Sequence, residues 1–133
     1  MDDLLTAARE ARERAYAPYS EFAVGAAVET ADGSVYAGCN VEVANYSNSL
    51  HAEEVAVGKA ASEGHRALER VAVSAPSSPG LTPCGMCRQT LAEFGDGGTT
   101  VLCDEGADAA PTTHDLGTLL PDAMGAADLG VEP

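Results

Sequence analysis

The segments His-Ala-Glu at residues 51–53 and Pro-Cys-Gly-Met-Cys at residues 83–87 bring three zinc-ligand side chains and one carboxylate to a chain of 133 residues. A structural zinc site is closed by four protein side chains, whereas a catalytic site keeps one position for water. The two segments supply one histidine and two cysteines, and their glutamate need not be a ligand. They predict a catalytic zinc site with three ligands, His51, Cys84 and Cys87, and with Glu53 as the group that carries protons.

Both segments are predicted to lie at the start of a helix. One helix is expected from residue 49 to residue 62 or 63, before Gly64, and a second from Pro83 to residue 94, with Thr82 as its N-cap. Cysteines three residues apart in a first turn share one face, where the unpaired N–H groups favour thiolates. Positions 51 and 53 differ by about 200° around a helix, so their side chains can share a site only beyond the helix end.

Hydrophobic periodicity and turn residues predict the other elements. A helix is expected over residues 2–16, a hairpin of strands 24–30 and 34–39 turning at Asp32-Gly33, and further strands over residues 70–75 and 99–103. Strands that alternate with helices call for crossover connections and parallel pairing. We therefore expect residues 1–133 to form one domain with one mixed sheet and helices on both faces.

The composition restricts the partners of this chain. It carries 21 acidic and 7 basic residues, with a formal net charge of -14, and its one lysine is Lys59. That charge repels polynucleotide phosphates, because their binding rests on Lys and Arg. No membrane span or signal peptide is predicted, which favours a cytoplasmic protein without a nucleic-acid or membrane partner. An acid-rich, lysine-poor surface also suggests adaptation to high salt, and it predicts loss of activity in low-salt buffer.

Five segments in order resemble the cytidine deaminases. Residues 19–27 are similar to the family's Y-S-x-F-x-V-G-A-A stretch and residues 38–42 to its G-x-N-x-E segment. Residues 83–89 and 91–94 match P-C-x-x-C-R-Q and L-x-E-F, and residues 119–121 match L-L-P near the C-terminus.

The resemblance implies an α/β fold, a three-layer α/β/α sandwich with one mixed five-stranded sheet. It also implies hydrolytic deamination of cytidine and deoxycytidine to uridine and deoxyuridine in pyrimidine salvage, with one Zn²⁺ per subunit. Water activated by the zinc would attack C4 of the base while Glu53 moves the protons. Short members of the family are homotetramers, so the resemblance favours a tetramer, with a dimer as the alternative.

The resemblance also implies five substrate-binding residues. Phe22 would pack against the pyrimidine, Asn40 and Glu42 would bond the ribose hydroxyls, the Ala52 backbone would hold the base, and Tyr46 would lie near the ribose or a neighbouring subunit. For Phe22, Asn40 and Glu42, roles in the core, in a turn or at the solvated surface remain open alternatives.

Three positions depart from the family pattern. Short tetrameric members usually have Cys in place of His51, Arg in place of Glu54, and Phe in place of Met124. Two thiolates and a neutral imidazole cancel the charge of Zn²⁺, so a compensating Arg is not needed beside His51. We therefore predict that Glu54 points away from the metal. The substitution at Met124 removes a phenylalanine that often reaches a neighbour's active site.

Other functions fit part of the same evidence. The substrate could be a blasticidin-type nucleoside, deoxycytidylate or a base in nucleic acid, although the negative charge disfavours the phosphate-bearing ligands. The chain could also be a non-catalytic zinc-binding module. A closed structural zinc would need a fourth ligand, which could come from Cys39, Cys103, His65 or His114.

Overall fold

The computed structural model describes residues 2–133. Their helices and strands follow one another as α1 Asp3–Arg12, β1 Gly25–Thr30, β2 Val35–Cys39, α2 Ala52–Ser62, β3 Leu68–Ser74, α3 Gly85–Phe94, β4 Thr100–Cys103, β5 Thr112–Asp115 and α4 Leu116–Leu119. Short 3₁₀ turns lie at Tyr46–Asn48 and Ala126–Leu129. No helix of this described part is long and apolar enough to cross a membrane.

The five strands form one mixed sheet in the order β2-β1-β3-β4-β5. Strand β1 runs antiparallel to both β2 and β3, β3 is parallel to β4, and β5 closes the edge antiparallel to β4. The parallel pair is joined through α3, as a crossover connection requires. The mixed five-stranded sheet is thus confirmed.

Alternation along the strands gives the sheet two buried faces. Ala26, Val71 and Val101 point into the larger core, against residues of α2 and α3. The intervening Ala27, Ala72 and Leu102 point to the other face, against Leu4, Leu5 and Ala8 of α1. The three-layer α/β/α sandwich is therefore confirmed, with α1 on one side and α2 and α3 on the other.

Two glycines allow the helices to lie close to the sheet. A Cβ on Gly25 would lie 2.0 Å from the carbonyl oxygen of Ala8 in α1, and a Cβ on Gly38 would lie 2.8 Å from the backbone nitrogen of Ala56 in α2. No side chain fits at these distances. These glycines set the distance between the helices and the sheet at the end of the sheet where β1 begins and β2 ends. The candidate site lies at the same end.

The predicted start of α3 is wrong. The helix begins at Gly85, and Cys84 is its N-cap with an extended backbone, φ -69° and ψ 170°. The carbonyl of Cys84 accepts the first helical bond, from the N–H of Arg88. Thr82 lies two residues before this N-cap, and its hydroxyl accepts a hydrogen bond from the Arg88 side chain. Cys84 therefore lies just outside the first turn and Cys87 inside it.

Other boundaries also differ from the prediction. Helix α1 ends at Arg12 rather than at residue 16, because the chain at Tyr16 turns to bridge Val41. Helix α2 begins at Ala52, three residues later than expected. The residue patterns missed β5 and α4, since the sequence Thr-Thr-His-Asp of β5 is polar and mostly exposed.

A charged network fastens α1 to the ends of β3 and β4. The carboxylate of Asp104, whose side chain is 4% exposed, accepts two hydrogen bonds from Arg9, at 2.8 and 2.6 Å. It also accepts from the hydroxyl of Ser74 at 2.7 Å and from Arg12 at 3.2 Å. The Arg9 hydrogen bond holds the pKa of the Asp104 carboxyl well below its usual range, against the raising effect of burial.

We predict that Asp104→Asn destabilises the fold by on the order of 3 kcal/mol at pH 7, because it removes a buried carboxylate and leaves two partly buried arginines without their anion. A carboxyl whose pKa is depressed by folding stabilises above its unfolded pKa of about 3.9, and this stabilisation is lost as pH falls further. Urea unfolding from pH 7 to pH 3 should therefore show the difference between variant and wild type shrinking below about pH 4. The exposed Asp108→Asn is the control, and a difference independent of pH would contradict the assignment.

Candidate metal centre and active site

Three ligand side chains converge where the N-termini of α2 and α3 meet. His51 is the N-cap of α2 and Cys84 is the N-cap of α3. The Nδ1 atom of His51 lies 3.3 Å from Sγ of Cys84 and 3.4 Å from Sγ of Cys87. The ligand atoms of all three residues lie within 4.8 Å of one another.

This donor set fits Zn²⁺. Zn–S bonds of about 2.3 Å and Zn–N bonds of about 2.0–2.1 Å at tetrahedral angles separate the ligand atoms by about 3.5 Å, close to the observed spacing. Burial raises the pKa of the Cys87 thiol well above its usual range, and Glu53 and Cys84 act in the same direction. A coordinated cation reverses this effect, since a metal-bound thiol is deprotonated. The cluster is thus compatible with one zinc ion.

Glu53 occupies the second position of α2, beside the ligand cluster. It is 5% exposed, and burial raises the pKa of its carboxyl, while its own backbone N–H and His51 lower it. The extended backbone of His51, with φ -82° and ψ 150°, precedes the first helical residue. Two residues that would face apart on a helix therefore both line one cavity at the helix end.

The cavity above the cluster measures about 430 Å³. His51, Glu53 and Cys84 line it, and Cys87 lies buried behind them. All five residues expected to bind substrate line the same cavity: Phe22, Asn40, Glu42, Tyr46 and Ala52. The candidate ligands, Glu53 and the expected substrate-binding residues thus line or adjoin one cavity.

Asn40 and Glu42 are already bonded inside the protein. The Asn40 carboxamide donates to the Phe22 carbonyl at 2.7 Å and accepts from the Val24 N–H at 2.9 Å. The Glu42 carboxylate accepts from the N–H groups of Tyr19 and Ser20, both at 3.0 Å, and from the Ser20 hydroxyl. Each side chain keeps unused hydrogen-bonding capacity: one N–H and one lone pair on Asn40, and one lone-pair site on Glu42.

The proposed fourth ligands lie elsewhere. Within residues 2–133, the converging group of ligand atoms does not include Cys39, Cys103, His65 or His114. Cys103 is buried in the core between the sheet and the helices, and the ring of His65 packs against Tyr36. His114 lies in β5 opposite Val101. A closed structural zinc site is therefore not supported.

The sequence profile of the family described as "Cytidine and deoxycytidylate deaminase zinc-binding region" matches residues 1–103, more than three quarters of the chain. That region includes the three candidate ligands and Glu53. The chain belongs to this deaminase family.

Relatives and solved structures agree with the assignment. A cytidine deaminase of Sporosarcina psychrophila is 42% identical over 130 residues, which cover 97% of this chain and 94% of the relative. A crystal structure of cytidine deaminase from Burkholderia pseudomallei has a TM-score of 0.85 and 41% identity, over 92% of this chain and 97% of that one. Cytidine deaminase from Mycobacterium tuberculosis has a TM-score of 0.80 at 41% identity, over 92% and 95% of the two chains.

Glu54, which departs from the family's usual Arg, has a local role in this deaminase. Its carboxylate accepts a hydrogen bond from the backbone N–H of His51 at 2.6 Å, as the third residue of a capped helix does. Glu54 is not part of the converging ligand group. Its carboxylate satisfies the backbone amide of His51, a candidate metal ligand, at the start of α2.

Met124, the other departure, is an exposed side chain on the segment after α4. Its backbone carbonyl accepts a hydrogen bond from the Gln89 side chain of α3 at 3.1 Å. The cavity lining does not include it. Met124 is therefore held close to α3 through its backbone, and about half of its surface remains exposed.

Several cavity residues were missed by the sequence reasoning: Ser20, Val24, Ser49, Leu50, Leu81 and Thr82. Ser20 and Val24 lie inside a segment that the family resemblance covers, so that match could have indicated them. Leu81 and Thr82 precede the cysteine motif in a Pro/Gly/Ser-rich loop, where no local pattern points into a cavity.

We predict that His51→Cys alone weakens zinc binding, because three thiolates and the two adjacent carboxylates leave excess negative charge. Adding Glu54→Arg should restore part of the affinity by supplying a cation. The measurement is competition for zinc with a chelator.

The matched control is His51→Cys with Glu54→Gln, which removes the charge and keeps an acceptor for the His51 N–H. If Glu54→Arg restores more zinc affinity than Glu54→Gln, the added positive charge contributes beyond the removal of the carboxylate. No rescue in either double variant would contradict the charge argument.

Proposed function

We propose that this chain is a cytidine deaminase that converts cytidine and deoxycytidine to uridine and deoxyuridine by hydrolysis. One observation carries the proposal: the His51–Cys84–Cys87 cluster and the buried Glu53 lie together at one cavity of nucleoside size. A ligand site with three protein donors leaves room for water, which is the reactant that hydrolysis needs. Membership of the deaminase family supports the same reaction.

A zinc ion held by these three residues supplies Lewis acidity and lowers the pKa of bound water. The Glu53 carboxylate accepts a proton from the attacking water and delivers it to the ring nitrogen beside C4. A C–O bond to C4 has then formed. Glu53 takes the second proton from the new C4 hydroxyl group and passes it to the amino group, so that the C–N bond breaks, C4 becomes a carbonyl carbon and ammonia leaves. A positioned carboxylate contributes on the order of 10²–10⁴ in rate.

The remaining cavity residues suit a nucleoside. Phe22 offers an apolar ring to the base, and the Ala52 backbone lies beside the ligand cluster at the start of α2. The unused N–H of Asn40 and the unused lone-pair site of Glu42 can bond ribose hydroxyls. Tyr46, whose ring meets Tyr19 edge to face, also lines the cavity.

The charge of the site favours a nucleoside over a nucleotide. Among the cavity residues in the described part of the chain, none is a lysine or an arginine. A phosphate would therefore meet Glu42 with no cation to bind it, on a protein of net charge -14. This supports cytidine or deoxycytidine as the substrate ahead of deoxycytidylate.

We propose that residues 1–133 act as one domain within a homo-oligomer, with a tetramer favoured over a dimer. Two large side chains that line the cavity are exposed to solvent: Tyr46 is 65% exposed and Leu50 is 46% exposed. Exposed side chains of this size in a cavity lining suit cover by a second copy. Analytical ultracentrifugation of the zinc-loaded protein measures the oligomer, and a monomer at working concentration would contradict the proposal.

The proposed activity predicts a fall in ultraviolet absorbance when cytidine or deoxycytidine is mixed with the zinc-loaded protein. Deoxycytidylate and blasticidin are the comparison substrates, each in low and high salt. Turnover should be greatest with the two nucleosides. Turnover of deoxycytidylate or blasticidin above both nucleosides would assign the site to that substrate instead.

Glu53→Gln is the matched variant, because it keeps the shape of the side chain and removes its proton-carrying role. It should retain zinc and lose on the order of 10²–10⁴ in rate. A wild-type protein that binds zinc and deaminates none of the four substrates would instead be a non-catalytic zinc-binding module.

A further inference from the structure

The two cysteine ligands are held in different ways. Cys87 is fully buried within α3, where the helix and the core fix its position. Cys84 is exposed, lies outside the helix as the N-cap, and follows the Pro/Gly/Ser-rich loop at residues 76–81. Packing therefore orders Cys87, whereas Cys84 needs another constraint to keep its thiol beside His51.

The side chain of Arg88 supplies three contacts around this point. Its Nε donates to the Pro83 carbonyl at 2.7 Å, and one terminal nitrogen donates to the Thr82 hydroxyl at 2.9 Å. The other terminal nitrogen donates to the Leu119 carbonyl at the end of α4, at 2.8 Å. Arg88 thus joins the turn before Cys84 to the C-terminal segment.

The contact with Pro83 acts directly on the ligand residue. The Pro83 carbonyl belongs to the peptide that links it to Cys84, and a peptide group is planar. Holding the carbonyl oxygen therefore orients the plane from which the Cys84 backbone and its thiol extend. The backbone N–H of Arg88 also donates to the Cys84 carbonyl at 2.9 Å, so one residue bonds both peptide groups that flank Cys84.

The C-terminal segment gives this arrangement an anchor. Helix α4 begins at Leu116, which is buried in the same core as α2 and α3. Gln89, the neighbour of Arg88, bonds the Met124 carbonyl, so two successive α3 side chains hold residues 119–124. The planar guanidinium matches three acceptors in fixed directions, which the single ammonium of a lysine cannot reproduce.

We propose that Arg88 is a positioning residue that fixes the Thr82–Cys84 turn against α4 and thereby holds the Cys84 thiol at the metal centre. This inference rests on the ligand set of the proposed function and assigns a role to a residue that touches neither metal nor substrate. Residues that orient metal ligands without binding the metal change metal affinity or activity by about 10- to 100-fold when mutated.

The test compares zinc release from Arg88→Met, Arg88→Lys and wild type to a chromogenic chelator. Arg88→Met keeps the aliphatic stem and removes all three bonds, and it should release zinc at least about tenfold faster than wild type. Arg88→Lys keeps the charge, and its rate of zinc release should lie between those of Arg88→Met and wild type. Arg66→Met is the control, because Arg66 also bonds two carbonyls, those of Ala61 and His65, at the far end of α2. The Arg66→Met variant should release zinc at the wild-type rate.

Cobalt substitution separates positioning from a general loss of stability. Thiolate-to-cobalt absorption depends on how each sulfur meets the metal, so it should change in the Arg88 variants and stay unchanged in Arg66→Met. Wild-type release and an unchanged cobalt spectrum in folded Arg88→Met would overturn the proposal.

If Arg88→Met does not fold, Arg88→Lys and Thr82→Val carry the test. Thr82→Val removes one of the three bonds and should give a smaller increase in release. Wild-type release and spectra in both would overturn the proposal. These readouts need no substrate, so the failure of deamination in wild type and the failure of positioning by Arg88 are distinguishable.

Discussion

The site depends on one constraint: the N-termini of α2 and α3 meet at one end of the sheet. His51 and Cys84 are both N-caps, and each has an extended backbone that directs its side chain off the end of its helix. The unpaired N–H groups of a first turn favour negative charge, which suits thiolates and carboxylates. Shifting either helix by one residue would separate the ligands.

At this end of the sheet, acidic groups are buried close together, and a bound cation would compensate their negative charge. Cys87 and Glu53 are buried side by side, and burial together with neighbouring acidic groups opposes their ionisation. A divalent ion makes the thiolates favourable and leaves Glu53 able to move a proton. On the opposite face of the sheet, Asp104 is compensated by Arg9 and Arg12, so the protein uses arginines there and a metal at the active site.

Much of this could be predicted from local sequence. The hairpin at residues 25–39, the helix after His51 and the parallel pair β3–β4 follow from alternation, turn residues and crossover rules. The N-cap of α3 could not be predicted in this way, because Thr82 and Pro83 form a good helix start on their own. In the structure the Thr82 hydroxyl accepts a hydrogen bond from the Arg88 side chain, and Cys84 is the N-cap. Strand β5 is polar, and its pairing with β4 supplies the order that its own residues lack.

The sequence alone determined which atoms were available for chemistry: one imidazole, two thiols, one carboxylate, and the order of elements that carries them. Only the tertiary structure decided that Asn40 and Glu42 keep part of their hydrogen-bonding capacity and that Arg88 reaches Leu119. The physical reason is separation along the chain. Periodicity records which face a residue takes within its own element, whereas these bonds join segments that meet only when the sheet brings their ends together.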